Sequence, residues 1–248
     1  MKKLAKKIRE IVSFAVIGII ALAFVVKFGG PQLLRAYVAN GIGSCQKVPI
    51  LCRVPQEEML NPEINAEFIK TLIPYKFSDM EILLPKGFKV VKQEFTKVYY
   101  KKKKEKDNNS VIYLLYEPKD FFVNLTPQIR ANGINSDYEF FKRTMYARLP
   151  EIQNLLDAFF VVIKSIFIPN LGDQHSVVMA RFIAGDKKGF INYKLSPSGN
   201  YFDFNMVDSK GNFFKVYIKD LNRQLDLAKA FSIISTCSFS LDFSANLR

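Results

Sequence analysis

Histidine occurs once in the 248 residues, tryptophan is absent and cysteine appears three times. The lone His175 excludes a metal or catalytic centre built on several imidazoles. Three thiols are too few for a disulfide-dense scaffold, and with a single His they leave no zinc set. Acidic residues are also sparse, 23 against 36 Lys+Arg, for a formal net charge of +13. Asp173, Asp203, Asp208 and Asp242 are scattered and do not compose a calcium loop. Gly41-Ile42-Gly43 has neither a strand before it nor a Lys after it, so no phosphate cradle is present, and no G-x-S-x-G elbow occurs. The chain therefore shows no cofactor motif, and nothing in it supports an enzyme. Apolar types, in contrast, make up 49% and charged types 24%, with 23 Phe. That composition fits neither a disordered tail nor a polytopic membrane protein, and the length suffices for one cored domain with a short second one.

The N-terminus carries the strongest pattern. Residues 1–10 hold Lys2, Lys3, Lys6, Lys7 and Arg9 against Glu10, and Ile11 to Val26 follow without a charge. As a helix, residues 11–28 span about 27 Å, close to the roughly 30 Å hydrocarbon core. Lys27 can snorkel, and Gly29-Gly30-Pro31 ends the run. The pattern predicts a single-pass transmembrane helix over 11–28, with residues 1–10 kept in the cytoplasm as its basic side. A cleaved signal peptide would use Ala21-Leu22-Ala23, but Phe24-Val25-Val26 stay apolar where a polar boundary is expected. Ile42-Gly43-Ser44-Cys45 has the form of a lipobox yet lies well beyond the apolar run.

Residues 29–75 read as a helical stalk. Pro31 to Gly41 places Leu33, Leu34, Tyr37 and Val38 on one helical face, and Asn61-Pro62-Glu63 opens a second helix that ends at Pro74. Cys45 and Cys52 lie in a Pro-containing loop of a chain read as exported. There they predict a disulfide worth roughly 2–3 kcal/mol in the chain-entropy model. Cys237, in the apolar context STCSF, reads as a buried free thiol.

Residues 76–248 read as one extracytoplasmic α+β domain, an antiparallel sheet covered by helices. Residues 80–93 give two short strands about a Pro-Lys-Gly turn, further strands fall over 95–104, 110–118, 177–184, 189–195, 200–207 and 212–219, the last four forming a meander, and a final strand covers 237–243. Ser136-Asp137-Tyr138-Glu139 is a capping box for a helix to about Arg148, Pro150 opens another, and a last helix runs over about 221–235. The opening ILLPKGF, the central meander and the closing helix into IISTCSFSL resemble the PsbP-like α-β-α sandwich over roughly residues 77–243. That resemblance implies a binding or assembly module without catalytic machinery.

Three functional readings follow. The first is a non-catalytic binding or assembly module of the bacterial cell envelope. It is held at the inner membrane with its main domain periplasmic and has a protein partner there. The second is an extracytoplasmic hydrolase using His175 with a distant Ser and Asp. The third is a module that binds anionic lipid headgroups through Lys101, Lys102, Lys103, Lys104 and Lys106 beside Tyr99 and Tyr100. The extracytoplasmic location argues against a nucleic-acid partner. A further candidate surface is the aromatic run Tyr193, Tyr201, Phe202, Phe204, Phe213, Phe214 and Tyr217. Strand alternation sends about half of it to the core and leaves a smaller aromatic face outward. Of the net charge, +5 belongs to residues 1–28 and +8 to the remainder.

Overall fold

A computed structural model describes residues 29–77, 80–94, 96–102, 110–169 and 174–239. In chain order the helices are α1 (Gly30–Ile42), α2 (Ala66–Lys70), α3 (Phe121–Leu125), α4 (Asp137–Tyr146), α5 (Leu155–Phe167) and α6 (Leu227–Ser235). The strands are β1 (Met59–Leu60), β2 (Ile73–Phe77), β3 (Met80–Leu84), β4 (Lys89–Glu94), β5 (Lys97–Lys102), β6 (Ser110–Glu117), β7 (Val178–Ala184), β8 (Lys187–Ser196), β9 (Gly199–Val207), β10 (Phe213–Asp220) and β11 (Ser238–Phe239). They fall into two compact units, Met1–Cys52 with Ala147–Ile166, and Arg53–Tyr146 with Phe167–Arg248.

In the first unit, α1 has Pro31 in its opening turn and ends at Gly43, whose φ of 108° only a residue without Cβ adopts easily. A 3-10 turn over Pro49–Cys52 buries Pro49, Ile50 and Leu51, and the expected bridge Cys45–Cys52 closes this loop. The Arg35 guanidinium ties α1 to the carbonyl of Ile152 at 2.9 Å.

The second unit contains an eight-stranded sheet in the order β1-β7-β8-β9-β10-β6-β5-β4 and a three-stranded sheet β11-β3-β2. The expected meander is present, since β7, β8, β9 and β10 pair consecutively and antiparallel. Its core lies on one face of the large sheet. Ile112, Leu114, Phe202, Phe204, Phe214, Val216 and Ile218 pack there with Phe231, Ile233 and Ile234 of α6 and with Met80, Ile82 and Leu84 of β3. Phe204, Phe182 and Phe231 meet edge to face at 5.1–5.6 Å, the arrangement the ring quadrupole favours. A second aromatic cluster, Phe122, Phe140, Phe141, Phe167 and Phe213, sits under α3 and α4.

Several expectations need correction. The fold is α+β, but the large sheet is mixed rather than antiparallel, because β1 pairs parallel to β7. No helix among the described residues is long and apolar enough to cross a membrane. The longest, α1 and α5, have 13 residues each and rise about 20 Å, short of a hydrocarbon core. The span expected over 11–28 and the basic segment 1–10 lie outside the described residues. Residues 53–75 contribute β1, α2 and most of β2 to the second unit. The helix expected from Asn61 starts instead after Asn65, whose side chain accepts the Phe68 N–H at 2.8 Å, and Pro74 lies within β2. The last helix begins at Leu227, because β10 runs to Asp220 and Asp226 is the cap that accepts the Lys229 N–H.

Candidate ligand-binding face

Side chains opposite one another on neighbouring strands share a face. Across the large sheet, on the side away from the core, one row runs Asn192, Asp203, Tyr217, Tyr113, Tyr99 and Lys92. Two residues along, a second row runs Phe190, Asn205, Lys215, Leu115, Lys97 and Glu94. On the other flank lies a third, Lys194, Tyr201, Lys219, Val111, Lys101 and Lys89. Alternation puts Phe202, Phe204, Phe214, Ile112, Ile191 and Ile218 on the core side, so the polar residues between them collect on this one, together with Phe190 and Phe213.

The face is anchored by a buried network on its central strands. Asp203 is 0% exposed. The Lys215 ammonium donates to Asp203 Oδ1 at 2.5 Å, to Asn205 Oδ1 at 3.1 Å and to the Phe167 carbonyl at 2.7 Å. The other carboxylate oxygen accepts from Asn192 Nδ2 at 3.1 Å and Asn205 Nδ2 at 3.0 Å. A buried charge is tolerable only when paired and fully hydrogen-bonded, and both conditions are met. Asn192 Oδ1 is buried with no partner among the described residues.

The network is bordered by tyrosines. Burial first, then the neighbouring Tyr201 and Asp203, push the Tyr217 phenol up to about 12. Burial also drives Tyr113 well above the ordinary phenol value, with Tyr99 adding to it. The Tyr99 and Tyr113 rings lie 4.7 Å apart, and the Lys219 ammonium stands 6.0 Å over the Tyr201 ring. Away from this centre Lys89, Lys92 and Lys101 are exposed, and Lys97, Lys194 and Lys219 are half-buried. The acids on these rows are already engaged, Asp203 by Lys215 and Glu94 by Lys92. The face therefore presents a positive surface with aromatic rings set into it.

The residues singled out from sequence fall in different places. Lys101 is exposed in the third row, whereas Lys102 is half-buried and donates to Gln224 Oε1 at 3.4 Å. Lys102 also lines a small cavity of about 80 Å³ with Phe68, Phe88, Ser110 and Asp220. Lys103, Lys104 and Lys106 lie outside the described residues, as do Asp173 and Asp242. His175 is exposed in the 3-10 turn Gln174–Ser176. Asp208 serves a hairpin loop, accepting the N–H groups of Lys210 and Asn212, each at 2.9 Å. Phe202, Phe204 and Phe214 join the main core and Phe213 the second aromatic cluster. Tyr193 packs on the core side, which leaves Tyr201 and Tyr217 on the polar face.

Lys215, Asn192 and Asn205 were not among the candidates drawn from the sequence. The signal for them was the strict alternation in NYFDFNMV (200–207), which sets an Asp between two Phe of a central strand and so demands a buried cation nearby. Among the described residues, no group of three or more His, Cys, Asp or Glu is placed to hold a metal ion. The chain matches no family model, and no curated protein resembles it in sequence.

Proposed function

We propose that this chain is a non-catalytic binding module that works outside the cytoplasm and engages an anionic partner through the lysine-rich face of its large sheet. The observation that carries the reading is the third row, in which Lys194, Lys219, Lys101 and Lys89 lie on one face with Tyr201 among them. A surface with its acids already engaged attracts anions and loses that attraction as salt rises. The Cys45–Cys52 bridge supports an oxidising compartment, and the basic-then-apolar N-terminal sequence supports export. Anionic lipid headgroups are one source of the charge this face would meet, and Lys101 belongs to both readings.

The test is a titration of the full chain with poly-L-glutamate as a bare polyanion. Lys101→Glu/Lys219→Glu should weaken binding at least tenfold, about the effect of 1.4 kcal/mol. The charge-matched pair Lys70→Glu/Lys210→Glu, placed off the face, should weaken it far less. Equal losses for the two pairs would reduce the interaction to net charge and remove the proposed site.

A further inference from the structure

Strand β4 closes one side of the eight-stranded sheet, and all six of its residues are exposed. Val90 is 51% and Val91 63% exposed, so apolar surface is bare where no described strand pairs with the outer edge. An edge of this length presents unpaired N–H and C=O groups and templates another strand. The opposite side of the sheet differs, since β1 has only two residues.

The charges of β4 specify which strand fits. A register shift between Val90 and Lys92 interrupts the alternation. It puts Lys89, Lys92 and Glu94 on one face, opposite Lys101, Tyr99 and Lys97, while Val90 and Gln93 stand opposite Tyr100 and Val98 on the core face. Consider a second copy laid antiparallel, with a two-fold axis between Val91 and Lys92. Lys89 then stands opposite the second copy's Glu94, Glu94 opposite its Lys89, and Val90 opposite its Gln93, these pairs on matching faces, with Val91 opposite Lys92 beside the axis. Lysines on an edge ordinarily repel an incoming strand. Here the strand also carries an acid, Glu94, which pairs with Lys92 on its own strand and which an identical copy would set opposite each Lys89.

We propose that β4 is a self-complementary edge at which two copies of this chain pair, continuing the large sheet from one subunit into the next through an isologous interface. The seam shares Lys89 with the lysine-rich face and would bring the two faces onto one continuous sheet, while its test reads self-association rather than anion binding. Opposite-charge pairs directly across an antiparallel ladder stabilise it and like charges destabilise it.

Sedimentation velocity of the full chain across the micromolar range tests the proposal. The native chain should show a reversible monomer–dimer equilibrium. Lys89→Glu and Glu94→Lys should each raise the dimer dissociation constant by roughly tenfold, because each places two like-charge pairs at the seam. The double variant Lys89→Glu/Glu94→Lys should restore it. A second reading comes from Val90→Cys/Gln93→Cys, which should yield a covalent dimer on a non-reducing gel. A chain that stays monomeric throughout overturns the proposal. So does a dimer indifferent to both single substitutions, or a double variant as weak as either single one.

Discussion

Lys215 and Asp203 show how one residue's chemistry depends on its strand neighbours. The pair is buried at 2.5 Å with Asn192 and Asn205 completing the carboxylate's hydrogen bonds. Lys215→Met strands that carboxylate without its cation, and a loss of about 3–5 kcal/mol is expected in chemical denaturation. Lys164 behaves in the opposite sense. Burial, with Arg148 beside it, lowers its amine from 10.5 to about 7, while it donates to the Ala147 carbonyl at 2.9 Å. Between these two values the unfolded chain holds the extra proton, so stability rises with pH from about 7 to 10.5. Lys164→Met should remove that rise and stabilise the chain at neutral pH by about 1–4 kcal/mol, measured as the denaturant midpoint against pH. Cys237 is buried and its thiol is pushed up to about 12 by that burial. It should resist a thiol reagent in the native chain and react fully in denaturant. The buried thiol was legible from its apolar neighbours. The two lysines were not, because a charge run or a lone Lys in sequence reads as solvated until its partners across the sheet are known.

Elements were legible where periodicity was strong. The strands from Val178 to Asp220 follow the alternation and the turn residues between them closely. The capping box was also legible, with one change. Ser136 Oγ accepts the Glu139 N–H at 3.3 Å, but the Glu139 carboxylate reaches back to the N–H of Asn135 at 2.7 Å. Asn61 and Asn65 looked alike in sequence, and tertiary contact decided between them, since the Asn65 N–H donates to Ser232 Oγ of α6 at 2.9 Å. Strand β1 has two residues and no period to read, yet the Gln56 N–H to Met179 carbonyl bond and the Arg181 bond to the Glu57 carbonyl fix it beside β7. Gly189 supplies a prediction at this scale. A Cβ there would stand 2.2 Å from the Asn205 carbonyl oxygen, so β8 and β9 approach too closely for any side chain. Gly189→Ala should cost at least about 2 kcal/mol and broaden the thermal transition of the sheet. Removing the bridge with Cys45→Ser/Cys52→Ser should lower the stability of the first unit by roughly 2–3 kcal/mol.

At the scale of the whole molecule, the net charge of +13 does not spread evenly. Part belongs to residues 1–28, and much of what remains on the described sheet lies along the rows that hold Lys89, Lys92, Lys97, Lys101, Lys194 and Lys219. The sequence suggested a single hairpin tip as the basic feature. The register shows that cations distant in the chain share one face, a fact no linear pattern contains because strand order 8-9-10-6-5-4 is set by long-range pairing. The most direct measurement of this account is lysine acetylation of the full chain, followed by mass spectrometry, with and without saturating poly-L-glutamate. The account predicts protection at Lys89, Lys101, Lys194 and Lys219 and none at Lys70 or Lys210. Uniform protection of all exposed lysines, or protection confined to residues off this face, would contradict it.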